Sequence, residues 1–526
     1  MDHFKAPAID WLMIAPYVIV AVTGILALVV EMMRPKSNNN VIVGVSVAGL
    51  VLALASLLVQ LGLPPARSVN GLVVRDQLGL TLMLVMVGAT TLCMFFSEAY
   101  LRQKRIAFGE FYPLTLWALM GGMVMVGTDN LMVQFIGLEV LSIALYTLAG
   151  MSRSEQRSEE AALKYFLLGA LASAFFLYGT AFVYGASGGT SLEGLTKAFT
   201  SDLMPLHQVA LFGLAMLLVG LGFKSALVPF HQWTPDVYQG APTNVTAFMS
   251  VVSKVAAVGA LARVLIASAP MFGTWYPVLF WMAIATMTVG NLAALAQRDV
   301  KRVLAYSSIA HAGYLLVAIL SYVKSPETVS LGAVVFYLGN YAVMTIGAFA
   351  VVSLTAKGGK EGTRFADVAG LWKRAPLAAG SLVVFMASLI GVPPTGGFFA
   401  KAVIFSDALQ TGQVVLAVVL AVNSALSAFY YLAIARACFV DDEPAVHLEK
   451  SVVSPGVALT CLACVLGVMG VSVFGGQMLQ LSRTAGSDKI PPFVTEVEAR
   501  AARRGASRPG TRNVPRVRGE DGSAPR

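Results

Sequence analysis

Only 12% of the 526 residues are charged and 57% are hydrophobic, and mean hydropathy is +0.74. Soluble domains carry about 25% charged residues, so these values exclude an ordinary water-soluble fold and describe an all-α polytopic membrane protein. The net charge of +9 is no argument for a nucleic-acid partner, because the stretch 483–526 holds ten Lys/Arg against five Asp/Glu. That stretch contains Pro, Gly and Ser but few apolar residues, which predicts a disordered basic tail.

A helix needs about 20 apolar residues to cross the hydrocarbon core, and windows of that kind predict 14 spans. The first, 11–33, is too long for a signal h-region and has no clear cleavage site after it. Next come 40–62 and 78–98, then 110–127, 129–150 and 161–185. The seventh, 207–238, is overlong and interrupted: Lys224-Ser225 is followed by Pro229, Pro235 and Gly240. Spans at 243–268, 274–296, 301–322 and 330–355 follow. The twelfth, 377–411, is broken by Gly391-Val392-Pro393-Pro394-Thr395-Gly396-Gly397, with Lys401 just beyond. Spans at 413–438 and 452–480 complete the series. Proline removes a helix donor and clashes with the preceding turn. Broken helices survive at membrane depth only where protein or a wet cavity satisfies the freed backbone.

The spacing predicts a repeat. Spans four to eight and nine to thirteen form two five-helix units, each with a broken fourth member that bears a lysine near its break. An odd number of crossings inverts the second unit relative to the first. The expected divisions are an N-terminal three-helix segment (1–107), a first repeat (108–270), an inverted second repeat (271–440), a C-terminal transmembrane helix (441–482) and the tail (483–526). Short-loop Lys/Arg counts give seventeen on one side, Lys104, Lys301 and Arg302 among them, and five on the other. Cationic loops stay cytoplasmic, so both termini are expected on the non-cytoplasmic side.

Charges inside apolar runs are the candidate chemistry, because a lysine at the bilayer centre costs about 2.5–3.5 kcal/mol on insertion scales. Lys224, Lys254 and Lys401 lie deep in their runs. Glu139 falls near the middle of its span, where a carboxyl is either protonated and hydrogen-bonded or paired. Lys164 begins the next span and is the available partner, although it follows Glu159 and Glu160 and could snorkel to the surface. His311 sits between the two broken helices; a lone core histidine is usually structural, but its ordinary pKa of about 6.5 suits proton relay. Asp407 lies about two turns beyond Lys401 at 3.6 residues per turn. His231, Trp233 and Asp236, near the first break, fit either cavity lining or capping.

Other features exclude functions. Cys461 and Cys464 form a CxxC, but they occupy an apolar run without a second pair and read as small core residues. No iron–sulfur, haem or flavin signature occurs. The glycines of 391–397 lack the Lys-Ser/Thr of a phosphate loop, and the Asn244-Val245-Thr246 sequon falls at a helix start. The chain is not expected to bind nucleotide, metal or any redox cofactor.

Three stretches carry a resemblance: GFKSALVPFHQWTPDVYQGAPTNVTAFMSVVSK, QRDVKRVLAYSSIAHAGY and GVPPTGGFFAK. They resemble the antiporter-like subunits of bacterial NADH-quinone oxidoreductase (respiratory complex I), most of all the subunit N family, related to mitochondrial subunit 2. The resemblance covers roughly residues 10–480, and lysine at 401, where a sister subunit has glutamate, favours subunit N. It implies a 14-helix fold with discontinuous seventh and twelfth helices in a bacterial inner membrane. It also implies a proton relay of Glu139, Lys164, Lys224, Lys254, His311 and Lys401. The partners implied are other complex I subunits, which would hold the NADH, FMN, iron–sulfur and quinone sites, together with membrane lipid. The alternatives are a subunit of a multisubunit cation/proton antiporter, which shares these motifs, and a passive scaffold, which the intramembrane lysines argue against.

Overall fold

The computed structural model describes residues 9–33, 39–201, 203–356, 360–439 and 453–485. Three helices open the chain: α1 (Trp11–Met33), α2 (Asn40–Leu61) and α3 (Gln77–Lys104). Between α2 and α3 lies a small antiparallel hairpin, β1 (Ala66–Ser68) and β2 (Val73–Arg75), with Ala66 opposite Arg75. The first repeat follows as α4 (Phe111–Val126), α5 (Leu131–Ala149), α6 (Gln156–Ser187), the short amphipathic α7 (Leu192–Thr200), α8 (Met204–Ser225), α9 (Trp233–Gly240) and α10 (Thr243–Ala267). The second comprises α11 (Phe272–Leu295), α12 (Val300–Lys324), α13 (Gly332–Val352), the four-residue turns α14 (Phe365–Val368) and α15 (Leu371–Arg374), α16 (Pro376–Ile390), α17 (Gly396–Gln410) and α18 (Val414–Ala437). The last helix is α19 (Pro455–Ala485).

Among the described residues, eleven helices are long and apolar enough to span a bilayer, and three shorter apolar ones accompany them. Both overlong spans are discontinuous, as expected. The seventh is α8 and α9 separated by residues 226–232, and the twelfth is α16 and α17 separated by 391–395. The two units pack alike: α4 on α5 and α6 on α8 in one, α11 on α12 and α13 on α16 in the other. The sequence reading missed the hairpin, α7, α14 and α15, which lie in connections and are too short to give a spanning signal. The tail beyond 485, and Arg34, Lys36, Lys357 and Lys450 of the loop-charge count, lie outside the described residues.

Position follows from surface chemistry. Along its apolar window α10 is buried all round, and α12 and α13 nearly so. A helix apolar on every face belongs at the centre of a bundle. Outer helices keep large apolar side chains exposed, among them Ile25 and Leu26 on α1, Leu167 and Leu171 on α6, and Val418 and Val422 on α18. Without a bilayer such surface would be unstable in water. The central three helices therefore carry Lys254, His311 and Tyr341 through the middle of the molecule.

Candidate functional site

The first break is built by local backbone chemistry. Ala226 turns into the left-handed region (φ 62°), and the amide of Leu227 donates back to Gly222 O at 2.8 Å. This satisfies a carbonyl that the ending helix leaves without an intrahelical donor. The Val228 amide donates to Thr286 Oγ1 of α11 (3.0 Å), and the Trp233 indole donates to Phe223 O (2.9 Å). Lys224 occupies the last turn of α8, where a helix end favours a cation. It is 4% exposed, and its ammonium donates to Ser142 Oγ (2.8 Å) and Tyr165 Oη (3.0 Å). Trp233 is thus a structural cap of the break; His231 presents its backbone oxygen to the Thr234 amide.

From here polar groups continue into the second repeat. Tyr165 stacks on Trp233 with centroids 4.6 Å apart, Trp233 meets Tyr238 at 6.4 Å, and the Tyr238 hydroxyl lies 3.4 Å from Ser308 Oγ. Lys254, 4% exposed, donates to the Ser308 carbonyl and lies 5.5 Å from the centre of the Tyr341 ring. The Tyr341 hydroxyl donates to Ser308 Oγ at 3.0 Å. His311 shares hydrogen bonds through both ring nitrogens: Nδ1 with Tyr337 Oη (2.6 Å) and Nε2 with Tyr431 Oη (3.1 Å), which in turn bonds Ser307. Its ring packs against those of Tyr341 (5.1 Å) and Tyr314 (5.5 Å), within electrostatic reach of Lys254 and Lys401.

The second break ends the line. Gly391 closes α16 at φ 91°, a conformation that favours glycine. At Gly397 any Cβ would collide with the Ser388 carbonyl oxygen, so the two half-helices approach at backbone distance. Lys401 lies in α17, yet its ammonium reaches back to the C-terminal end of α16. It donates to Leu389 O (2.8 Å), Ile390 O (2.9 Å) and Ser424 Oγ (2.9 Å), 5.4 Å from the centre of the Tyr314 ring. Lys224 lies in the last turn before its break and Lys401 follows its own, but only the Lys401 ammonium bonds the terminal carbonyls of a half-helix. The carbonyl end of a helix carries about half a negative charge, so α16 stabilises the Lys401 ammonium without a counter-ion.

Lys164 departs from the expected pairing. Its ammonium lies 2.7 Å from Glu160 and 2.7 Å from Asp236, and it forms no ion pair with Glu139. One helical turn separates Glu160 from Lys164, and α9 brings Asp236 over the same face of α6, so both acceptors lie nearer than the neighbouring span. Glu139 is half-buried, and its Oε1 has no hydrogen-bond partner. It nonetheless acts on Lys224 through space.

Three further clusters were missed in the sequence. Lys104 and Lys301, counted there as loop cations, are fully buried and converge on Glu361, at 3.7 and 3.2 Å. Glu361 also accepts from Tyr100 Oη (2.6 Å), the Thr243 amide (3.0 Å) and the Thr243 hydroxyl, so it closes the start of α10 from the second repeat. A cavity of about 670 Å³ opens beside it, lined in part by Lys104, Glu155, Gln239 and Thr363. Asp236 also binds Arg302 at 2.7 Å. Arg263, 3% exposed, bridges Asp76 (2.7 Å) and Asp129 (3.1 Å). Asp407 is buried. All four cysteines are free and buried, and among the described residues no group of three His, Cys, Asp or Glu gathers to hold a metal.

The two breaks and the central helices thus bring buried lysines, tyrosines, serines and His311 together through the middle of the molecule. The family model for the transmembrane part of NADH:quinone oxidoreductase and Mrp antiporters matches residues 128–427. The chain is 40% identical to NADH-quinone oxidoreductase subunit N of Trichlorobacter lovleyi, covering 80% of this chain and 85% of that one. It belongs to the subunit N family. A chain of respiratory complex I from Thermus thermophilus superposes with TM-score 0.76 at 36% identity, over 90% of this chain and all of that one. A chain of the Mrp complex from Dietzia sp. DQ12-45-1b shares the fold at TM-score 0.80 but only 22% identity, over 93% and 99%. The subunit N family thus takes precedence over the antiporter alternative.

Proposed function

We propose that this chain is a proton-translocating membrane subunit of NADH-quinone oxidoreductase, working through Glu139, Lys164, Lys224, Lys254, His311 and Lys401. One observation carries the reading. Lys224, Lys254 and Lys401 are 4%, 4% and 6% exposed, and among the described residues none of them forms an ion pair. A buried cation without a counter-ion is held poorly enough to release its proton, and a nearby carboxylate reverses that preference. Glu139 supplies the adjustable charge beside Lys224. The proton leaves a lysine Nζ, which becomes a neutral amine, and protonates the next basic group. Tyrosine and serine hydroxyls along the line donate one proton as they accept another. His311 offers two nitrogens between Lys254 and Lys401. Electron transfer from NADH to quinone belongs to other subunits, and this chain carries no redox centre. The complex lies in a bacterial inner membrane, with both ends of this chain on the non-cytoplasmic side.

The test is Lys224→Ala in the assembled complex, with Glu139→Ala and Glu139→Asp beside it. Proton translocation and quinone reduction should both fall sharply in the alanine variants, and Glu139→Asp should retain part of each. Full pumping by assembled Lys224→Ala complex would remove the relay reading. Sodium flux in the same vesicles, in place of proton flux, would favour the antiporter reading.

A further inference from the structure

We propose that Asp236 is a positioning residue of the relay: it holds Lys164 away from Glu139 and ties that choice of partner to the second repeat. The inference rests on the relay reading above. Each carboxylate oxygen has its own cation. Oδ2 is 2.7 Å from Lys164 of the first repeat, and Oδ1 is 2.7 Å from Arg302 in the first turn of α12. Arg302 is fixed in turn by Gln239 Oε1 and Gln297 Oε1, both at 3.1 Å. Gln239 also donates to Asp299 Oδ2 at 2.9 Å, so α9 is moored to the start of α12 by two side chains. Nine residues further along α12 is His311.

These contacts make α9 a junction. Trp233 packs on Tyr165, which holds Lys224; Asp236 holds Lys164, the residue next to Tyr165; Tyr238 approaches Ser308, which holds Lys254. Three relay lysines therefore feel the position of one eight-residue half-helix just beyond the break. A partly exposed ion pair contributes little to stability, and Lys164 and Asp236 are 42% and 36% exposed. The weight of Asp236 lies in where it keeps an ammonium. The acceptors left without Asp236 are Glu160, 2.7 Å away and one turn back on α6, and Glu139, whose Oε1 is buried without a partner. In this arrangement Lys164 rests on Asp236 and Glu160 together. A shift of α9 against α6 withdraws the Asp236 carboxylate and leaves the ammonium to divide between Glu160 and Glu139, which changes the charge beside Lys224.

The experiment compares Asp236→Asn, Asp236→Glu, Lys164→Ala and the Asp236→Asn/Lys164→Ala double variant in membranes, normalised to assembled complex. A coupling between two sites is commonly about 5–150-fold, so Asp236→Asn should lower proton translocation about fivefold or more. Asp236→Glu should restore at least half of the loss, and the double variant should be no worse than the worse single. Parent-like pumping by Asp236→Asn while Lys164→Ala is impaired overturns this inference and leaves the relay standing, as does an additive double variant. Parent-like pumping by Lys164→Ala removes Lys164 from the relay itself. Should Asp236→Asn not assemble, Arg302→Gln serves instead. It should lower pumping non-additively with Lys164→Ala, and additivity, or failure of both variants to assemble, marks a purely structural link and overturns the proposal.

Discussion

Replacing Lys401 by arginine separates a proton carrier from a fixed charge. Lys401 uses all three ammonium donors, on Leu389 O, Ile390 O and Ser424 Oγ. Guanidinium also donates hydrogen bonds and keeps the charge, so the carbonyl end of α16 stays paired. Imperfect geometry would cost about one hydrogen bond, roughly 0.5–1.5 kcal/mol. Deprotonation is affected far more. The ordinary pKa values of lysine and arginine differ by about 2–3 units at about 1.4 kcal/mol each, so the neutral form becomes about 100–1,000-fold scarcer. If Lys401 must release its proton in each cycle, Lys401→Arg should reduce pumping at least about tenfold, well beyond what misfit of one hydrogen bond explains. The assay is proton translocation in reconstituted vesicles, normalised to assembled complex. Parent-like pumping would refute the reasoning and leave Lys401 as an electrostatic fixture at the helix end.

Tyr431→Phe removes the hydroxyl shared by His311 Nε2 and Ser307. It leaves a buried polar atom unpaired at about 1–3 kcal/mol, so pumping should fall several-fold with assembly preserved, and unchanged pumping would take Tyr431 off the path. Arg263→Leu strands Asp76 without its buried cation and leaves Asp129 only Arg67, at 3.1 Å. Breaking such a pair costs about 3–5 kcal/mol, which should appear as a lower thermal midpoint or failed assembly. Burial pushes the Glu361 carboxyl up, but Lys301 and Lys104, with the Thr243 and Tyr100 hydroxyls, hold it below the usual carboxylate range. A depressed carboxyl stabilises the fold above the unfolded pKa of about 4.3, and that contribution disappears as pH falls through the folded value. Glu361→Gln should therefore lower the thermal midpoint at pH 7 and flatten its loss between pH 4 and lower values; a parent-like acid profile would contradict this.

The residues legible in the sequence share one property: a charge with apolar neighbours on both sides. Lys224, Lys254, Lys401 and His311 meet it, and all four lie buried where the apolar runs place them. The two breaks were equally legible, since proline and glycine act on the backbone locally. Lys104 and Lys301 failed the same reading because each adjoins other charges, Arg102 and Arg105 in one case and Arg298 and Arg302 in the other. Proximity to a loop looked like access to water. Only Glu361, delivered from another part of the chain, shows that both ammonium groups are covered. Arg263 did carry a visible signal, a charge among GALARVLIA, but it lies four residues from its helix end, where snorkelling is the obvious reading.

Pairing was the part that no spacing could supply. Glu139 and Lys164 stand on successive helices, and adjacency in sequence made them partners; α9 folds back and puts Asp236 nearer. The tyrosines were silent for a related reason. Tyr165, Tyr238, Tyr314, Tyr337, Tyr341 and Tyr431 sit in apolar runs where an aromatic ring is sufficient explanation, and only assembly shows that several of their hydroxyls meet lysine, serine or histidine. The division has a physical basis. An intramembrane lysine is costly wherever its partner is, so sequence alone reveals it, whereas a hydroxyl is inexpensive to place and acquires a role only from its neighbour. The two half-helix ends unite these levels. Proline and glycine open each helix; at the second break the exposed carbonyls of Leu389 and Ile390 hold the Lys401 ammonium, and at the first the Ser142 and Tyr165 hydroxyls hold Lys224, in neither case with a counter-ion in hydrogen-bond contact that would fix the proton permanently.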